Sequence, residues 1–381
     1  MTFSRLLCLA AGLILLTVPG LAMAQSTSSS TATGISRLMN PSISLNALLL
    51  GQVSRDLATT EANQVGLQEM EIQFSSVVDP FWVADLILAM HPEHAHEGEE
   101  DHSTHFALDV EKAIVEYRNM PRGFGLRVGK DFLNFGKQIP LHTHNFAFVK
   151  APVGIAAFVG DHGLTETGVE VAWNAPLPWW AEVKVYATSA TAVIFDHGSR
   201  DLAYGARWSN LWDTSQASTL ELGFSGLTGP GAAALDGHPT GRLNLYGADL
   251  TWKWFPGTTT GGAALNFTNE VLLPDPDHKH GDPLGFYSHL QYRFARQWWL
   301  GLGASVARDA LPDHDHDAEA GHDLHLRTIR QVKANVTLTA SEFSAVRLEV
   351  HYDEDTESDF RDLGAYLQVN FTIGSHPAHL Y

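Results

Sequence analysis

The chain has almost no cysteine, and no long apolar run follows its first two dozen residues. Its one cysteine, Cys8, lies in a segment that we expect to be removed, which excludes disulfides, thiol redox chemistry and cysteine-based zinc sites from the mature chain. Without apolar runs of ~20 residues, a bundle of membrane-spanning helices is excluded as well. Basic residues are also scarce: 24 Lys and Arg stand against 43 Asp and Glu, for a formal charge of −19. This balance argues against nucleic acid or anionic lipid as a partner and suits cations.

The N-terminus has the features of a secretory signal peptide. Arg5 provides the positive start, Leu6 to Val18 form an apolar stretch, and Ala22-Met23-Ala24 is a small-x-small cleavage motif. A membrane anchor is the competing interpretation, but the apolar stretch is shorter than the ~20 residues that a spanning helix needs. We expect cleavage near Ala24 and three parts: a signal peptide (1–24), a Ser/Thr-rich lead (25–39) and one main domain (40–381).

Apolar and polar residues alternate through the main domain, where helical three–four spacing is largely absent. The cleanest segment is Val346-Arg347-Leu348-Glu349-Val350-His351-Tyr352. Such alternation gives a strand one apolar and one polar face, as in transmembrane β-strands. A soluble β-sandwich also alternates. Tryptophans near the segment ends, and a length too great for one sandwich, favour the membrane barrel.

We therefore predict an all-β fold, a transmembrane antiparallel β-barrel of about sixteen strands with short periplasmic turns and long extracellular loops. The predicted strands are 42–53, 65–78, 81–91, 106–119, 123–134, 164–174, 180–190, 200–210, 217–226, 241–254, 260–272, 285–295, 297–308, 325–340, 343–353 and 362–373.

Histidine is concentrated in a few short acidic segments that proline and glycine interrupt. Imidazole and carboxylate at one- to three-residue spacing suit Zn²⁺, with Ni²⁺, Cu²⁺ or Co²⁺ next. Every such segment falls in a long connection between predicted strands, so we expect the segments to meet at the extracellular rim. The candidate metal ligands are His91, His94, His96, His102, His105, His142, His144, His278, His280, His314, His316, His322, His325, Asp313 and Asp315.

Two interpretations of these residues stay open. A solvated, charged rim would explain the carboxylates, although it explains the clustered histidines poorly. His142 and His144 lie in the longest loop, about 135–163, which carries two apolar stretches. Such a loop either folds into the barrel, with both imidazoles on one side as a relay site, or simply packs on itself.

Charged residues on the polar strand faces are predicted to point into the lumen. Their mixed signs indicate pairing across neighbouring strands, and anion selectivity is not expected because no ladder of lysine or arginine is present. We also expect no enzyme, since neither a Gly-x-Ser-x-Gly elbow nor a His-Glu-x-x-His helix occurs. The candidate pore-lining residues are Glu116, Arg127, His289, Arg293, Lys333, Arg347 and Glu349, and Glu69, Glu71 and Glu111 are among the other lumen-facing charges.

Three segments carry a family likeness: Asn40-Pro41-Ser42-Ile43-Ser44-Leu45; Gly129-Lys130-Asp131-Phe132 with His142-Thr143-His144 and Ala151-Pro152; and the tail from Phe371 to His379. They resemble proteobacterial outer-membrane barrels described as zinc-regulated or TonB-dependent receptor-like proteins. The resemblance implies an outer-membrane location and a link to zinc supply. TonB-dependent transport is not expected, because it requires a plug domain within a barrel of 22 strands, and only Gln25 to Met39 would precede the first strand.

These features predict a porin-like outer-membrane protein that captures divalent metal, zinc above all, on its loops and admits it to the periplasm. The alternatives are a surface metal-binding barrel with a closed lumen and a general diffusion porin with incidental histidines. The expected partners are divalent metal ions, outer-membrane lipid and, through the aromatic C-terminus at Tyr381, the barrel-insertion machinery. No nucleic acid is expected, and the chain is compatible with a homotrimer.

Overall fold

The computed structural model describes residues 40–55, 63–92, 106–196, 198–231, 241–257, 262–275, 283–308, 327–356 and 361–374. Within these residues, sixteen strands form one closed antiparallel barrel, in which each strand pairs with its sequence neighbours and the first closes against the last. The strands are β1 (Ser42–Ser54), β2 (Gln64–Val77), β3 (Trp82–Pro92), β4 (Phe106–Tyr117), β5 (Phe124–Phe132), β6 (Thr165–Asn174), β7 (Trp180–Thr188), β8 (Ala203–Ser215), β9 (Ser218–Pro230), β10 (Arg242–Trp254), β11 (Ala264–Pro274), β12 (Leu284–Ala295), β13 (Trp298–Arg308), β14 (Thr328–Ser341), β15 (Ser344–Asp355) and β16 (Arg361–Gly374).

The predicted all-β barrel and its strand count are confirmed, and most strand bounds agree within a few residues. The largest difference is at β8, which continues to Ser215 instead of ending near residue 210. There Trp212 and Asp213 still pair with Leu220 and Thr219 of β9. The ladder thus continues until the two-residue turn.

Burial along the strands is the reverse of that in a soluble protein. In β15 the apolar side chains of Val346, Leu348 and Val350 are exposed, whereas Arg347 and Glu349 between them are buried. The pleat sends alternate residues to opposite faces. The outer face is therefore apolar and the lumen polar, the arrangement that a hydrocarbon surrounding requires.

The two rims of the barrel differ in the length of their connections. At one, which we call the short-turn rim, strands are joined by such turns as 296–297 and 342–343. The opposite rim, the long-connection rim, carries the links over 93–105, 133–164, 275–283 and 309–327. An exposed aromatic belt surrounds the short-turn rim: Phe81, Phe124, Trp173, Trp180, Phe255, Trp298 and Phe343.

One short α-helix, α1 (Val153–Val159), lies in the connection between β5 and β6. None of the helices in the described residues is long and apolar enough to cross a membrane.

Candidate metal centre

The connection between β5 and β6, residues 133–164, folds into the lumen, and we call it the inward loop. Phe135, Phe148 and Val149 within it are almost fully buried. α1 packs against β12, β13 and β14 on the barrel wall. Of the two interpretations of this loop, the structure agrees with insertion into the barrel.

An apolar core holds one side of the inward loop. Ile155 and Phe158 of α1 pack in one cluster with wall residues that include Leu272 and Tyr287. Gly154 approaches the wall so closely that an added Cβ would meet the backbone of Phe286. Because the lumen is otherwise polar, this core gives the loop a specific docking position.

Polar side chains of the wall bind the loop backbone directly. The Glu349 carboxylate accepts a hydrogen bond of 2.9 Å from the Val149 N–H, and the Arg347 guanidinium donates one of 3.0 Å to the Phe146 carbonyl. Buried backbone groups need such partners. Further hydrogen bonds join wall and loop. Side chains of the wall donate to loop carbonyls, from Asn335 to Ala147, from Lys333 to Lys150 and Ala151, and from Gln68 to Val149. Loop N–H groups donate to wall side chains, from Gly136 to Ser225, from Gln138 to Glu270 and from Gly154 to Ser305.

On the opposite side the loop brings two imidazoles to three wall carboxylates. Glu69 and Glu71 lie two residues apart on β2 and so share the inner face. Glu111 comes from β4, and His142 and His144 flank Thr143 in a 3₁₀ turn of the loop. We call these five residues, Glu69, Glu71, Glu111, His142 and His144, the Glu–His cluster.

Two β-bulges adjoin this cluster. The β3–β4 register shifts between Ile87 and Leu88, which leaves Glu111 as the extra residue of β4. The β1–β2 register shifts between Leu48 and Leu49, which makes Gln68 the extra residue of β2. Bulges redirect side chains and are frequent beside functional sites.

Glu71 lies at the centre of the cluster. Its Oε1 is 3.0 Å from Nδ1 of His144 and 3.6 Å from Nδ1 of His142. Nδ1 of His142 is also 3.0 Å from Oε2 of Glu111. The donor atoms form two triads, Glu69–Glu71–His144 and Glu71–Glu111–His142, each with all its atoms within 4.8 Å of one another.

The cluster is buried and incompletely satisfied. Only 2% of Glu69 and 4% of Glu71 is exposed. Oε2 of Glu69 accepts a hydrogen bond of 2.9 Å from the Thr143 hydroxyl, but its buried Oε1 has no hydrogen-bond partner among the described residues. Buried carboxylates without partners are costly unless they are neutralised or coordinate a metal.

The two imidazoles differ in their readiness to bind a cation. Burial and the neighbouring charge of His142 lower the pKa of His144 to about 3. Burial also opposes the charged form of His142, but its hydrogen bond with Glu111 and the charges of Glu71 and Glu111 outweigh that effect and raise its pKa. His144 is therefore neutral, as metal coordination requires, whereas a proton competes for His142.

Among the predicted metal ligands, three are described. His142 and His144 belong to the Glu–His cluster, and His91 lies at the end of β3, with its Nε2 3.4 Å from Oδ2 of Asp109 and its ring stacked on His162. The other predicted ligands lie outside the described residues: His94, His96, His102, His105, His278, His280, His314, His316, His322, His325, Asp313 and Asp315. The strand ends that flank them belong to the long-connection rim.

The predicted pore-lining residues all belong to the polar strand faces, but the loop covers several of them. His289, Lys333, Arg347 and Glu349 are buried, and Phe148 of the loop lies against His289. Nearer the short-turn rim, Arg293 lies over the Trp299 ring. Glu116 is partly exposed, and Arg127 pairs with Glu170 and Asp131.

The sequence did not associate Glu69, Glu71 and Glu111 with the two histidines. Their position on the polar strand faces was visible in the alternation. Their role as neighbours of His142 and His144 was not, because the contact between His144 and Glu71 spans 73 residues of sequence.

No protein-family model matches the chain. The chain is 26% identical over 323 residues to an uncharacterized protein of Aquifex aeolicus, in an alignment that covers 74% of this chain and 64% of that protein. It therefore spans just under two thirds of the length of that relative. The zinc-regulated family suggested by the sequence stays a prediction.

Solved outer-membrane proteins resemble the barrel. OprB of Pseudomonas putida, in its high-pH structure, matches with a TM-score of 0.60 and 11% identity over 88% of this chain and 94% of its own. The outer membrane channel DcaP of Acinetobacter baumannii matches with a TM-score of 0.53 and 10% identity over 88% of this chain and 98% of its own. The chain has the porin fold. At these identities the likeness concerns the fold, so any function must be argued from the site.

Proposed function

We propose that this protein is a porin-like barrel of the outer membrane that admits divalent cations, zinc first, through a binding site on its inward loop. One observation carries the proposal: Glu71 lies within 3.6 Å of the imidazoles of His142 and His144, between two further buried carboxylates. Zinc would be the transported substrate. The apolar outer face supports the location in a membrane.

The donor set suits a borderline divalent cation. Imidazole nitrogen and carboxylate oxygen are both zinc ligands at 2.0–2.2 Å, and Cu²⁺, Ni²⁺ and Co²⁺ accept the same atoms. In a tetrahedral site with such bonds, two ligand atoms are about 3.4 Å apart. The separations of Glu71 from His144 and His142, 3.0 and 3.6 Å, bracket that value.

The order of residues along the barrel supports a path from the long-connection rim. The histidine-rich connections would gather ions at this rim, and His91 with Asp109 lies where β3 and β4 reach it. β2 and β4 carry Glu69, Glu71 and Glu111 farther in. A net charge of −19 favours cation accumulation throughout.

The inward loop argues against unselective diffusion. It is bound to both β2 and β15 through Val149 and reaches β11 through Gln138, so it crosses the lumen. A solute would have to pass beside the loop, where the Glu–His cluster lies. Selective passage is therefore favoured over a general diffusion porin.

A closed, metal-binding barrel is the second candidate, and the apolar core around α1 favours it because this part of the lumen is filled by side chains. The two candidates differ in one property, which is ion flux. They share the prediction that the Glu–His cluster binds zinc.

Purified protein in planar bilayers and in liposomes loaded with a zinc-sensitive dye separates these functions. We expect zinc-dependent dye signals with the wild type and a loss of most of the flux in H142A/H144A. The matched control is Glu182→Gln, which removes a wall carboxylate of β7 that pairs with Lys184. Zinc binding without flux would establish the closed barrel, and flux that the double variant leaves unchanged would establish a general porin.

The remaining predictions on assembly have their own tests. Outer-membrane insertion through the C-terminal aromatic predicts that deletion of Tyr381 slows assembly in cells. A homotrimer predicts a mass three times that of the chain in detergent, measurable by light scattering.

A further inference from the structure

The Glu–His cluster has two overlapping sets of donor atoms. We infer that it holds two divalent cations at once, with the Glu71 carboxylate as the bridge between them. This inference rests on the proposed function, since it concerns the same site. The first position comprises His142, Glu111 and Glu71, and the second comprises His144, Glu69 and Glu71.

One ion does not satisfy the whole cluster. An ion bonded to every donor at about 2.1 Å needs all of them within about 4.2 Å of each other. The donors of each triad, within 4.8 Å of one another, lie near this limit, whereas the five residues form two such sets and not one. The rings of His142 and His144 are stacked, with centroids 5.6 Å apart and planes 21° from parallel, and the two imidazoles belong to different triads.

The position of Glu71 is that of a bridging ligand. Both Nδ1 atoms approach the same oxygen, Oε1, from the two triads. The ions of known two-metal sites lie about 3.5–4 Å apart, a separation that one carboxylate can bridge. The ion positions would then follow the offset of the two imidazoles.

Glu69 supplies a donor that only the second position uses. The Thr143 hydroxyl donates to its Oε2, and the buried Oε1 beside Glu71 accepts no hydrogen bond from another donor group of the described residues. Glu111 has the corresponding role in the first position, where its Oε2 contacts His142. Each position thus has one carboxylate of its own, one imidazole and the carboxylate of Glu71, which both positions use.

The charges also favour two ions. Three buried carboxylates repel one another. A single divalent ion bound at one triad leaves the charge of the carboxylate that belongs only to the other triad uncompensated. Lys112 of β4 forms its ion pairs with Asp85, at 3.5 Å, and Asp131, at 3.7 Å, and its charge also acts on Glu71. A second cation compensates the remaining carboxylate.

The two positions differ in access. The His142 side chain is 12% exposed and that of Glu111 11%, against 3% for His144. The first position is therefore the more accessible of the two to solvent. Glu71, as a ligand to both, offers a transfer step in which one bond is kept while the other ligands change.

Manganese binding to the purified full chain in detergent tests the inference. Mn²⁺ prefers carboxylates and is the weakest binder of histidine-rich loops among these metals, and its EPR spectrum reports pairs. We compare the number of Mn²⁺ ions bound per chain. We expect Glu71→Gln to bind two ions fewer than the wild type, and Glu69→Gln and Glu111→Gln to bind one fewer each. We also expect an exchange-coupled spectrum in the wild type and in Glu182→Gln, but not in the three cluster variants.

The outcomes separate this inference from the proposed function. If each of the three variants lost one ion and the spectra of the wild type and of every variant were uncoupled, the proposed pair of ions would be wrong and a single cation site would remain. Loss of no ion in any variant would overturn both. Heat-dependent electrophoretic mobility checks that each variant is a folded barrel, and Thr143→Val, which leaves all five donors in place, is a second test because it should weaken only the second ion.

Discussion

The inward loop meets two different parts of the barrel wall. Towards β11, β12 and β13 it buries Ile155, Phe158 and other apolar residues in a core. Towards β2 and β4 it presents His142 and His144 to carboxylates. The first contact can stabilise the loop through apolar burial, whereas the second concentrates like charges at a free-energy cost. The apolar side thus holds the loop where the polar side can bind cations.

Removal of the apolar anchor should have the largest effect. Phe158→Ala deletes a buried ring of α1, and such substitutions cost about 3–5 kcal/mol. We expect the loop to leave its docking site, so that bilayer conductance rises and zinc affinity falls. Phe224→Ala is the matched control, because Phe224 is 49% exposed on the outer face. Unchanged conductance in Phe158→Ala would show that the core does not hold the loop.

Loss of the central carboxylate should come next. Glu71→Gln keeps the side-chain shape but removes the charge between the two imidazoles, and we expect zinc affinity to fall more than about a hundredfold, since even indirect metal partners are worth 10–100-fold. At a hundred times its Kd, zinc should stabilise the wild type by about 2.7 kcal/mol and the variant hardly at all. Calorimetry and thermal unfolding measure the two effects. An equal response in both proteins would place the zinc elsewhere.

A polar anchor of the loop should matter less than the apolar one. Lys333 donates hydrogen bonds of 3.0 and 3.2 Å to the carbonyls of Lys150 and Ala151. Lys333→Met leaves these carbonyls without that donor, which we expect to cost about 1–3 kcal/mol. Limited proteolysis of the loop should accelerate accordingly. If Lys333→Met accelerated proteolysis of the loop more than Phe158→Ala, the polar anchor would hold the loop more strongly than the apolar one.

The histidine-rich connections should contribute through concentration alone. Deletion of residues 93–105 and 311–325 should lower zinc uptake about tenfold or less, and only when zinc is scarce, because a charged rim raises the local ion concentration. Zinc uptake into dye-loaded liposomes, measured at a low and a high zinc concentration, tests this dependence. Equal loss at both concentrations would mean that the loops take part in passage itself.

The smallest expected effect is the pH dependence of the metal-free loop. The raised pKa of His142 means that its contacts with Glu111 and Glu71 stabilise docking below pH ~6.5 and lose this contribution as the pH rises through the raised value. Zinc affinity should increase over the same range. NMR of labelled histidines should show His142 titrating and His144 neutral from pH 5 to 8. Titration of His144 in that interval would contradict the burial of its ring.

Most of the barrel was predictable because period-two alternation is a local property. The alternation in segments such as 346–352 predicts one apolar and one polar face without any information from the rest of the chain. The topology followed from alternating short and long connections. Two apolar stretches marked the loop after β5 as unusual, but its own sequence did not distinguish insertion from local packing.

The cation site depended on contacts that no local pattern contains. Glu69 and Glu71 were visible as lumen-facing charges, yet nothing in their surroundings linked them to His142 and His144. The bulge at Glu111 also has no sequence signal here, because it arises from the pairing of β3 with β4.

The amino-acid pattern alone was enough to predict a barrel of about sixteen strands with an apolar exterior, a polar lumen and histidine-rich connections on one rim. The folded barrel was needed to show that residues 133–164 enter the lumen and bring two imidazoles to three carboxylates. The barrel and the site differ in this way because the first depends on local sequence and the second on contacts between distant segments. Strand alternation is set by each segment's own pleat, whereas the site exists only where an apolar core on one wall holds a loop against charges on another.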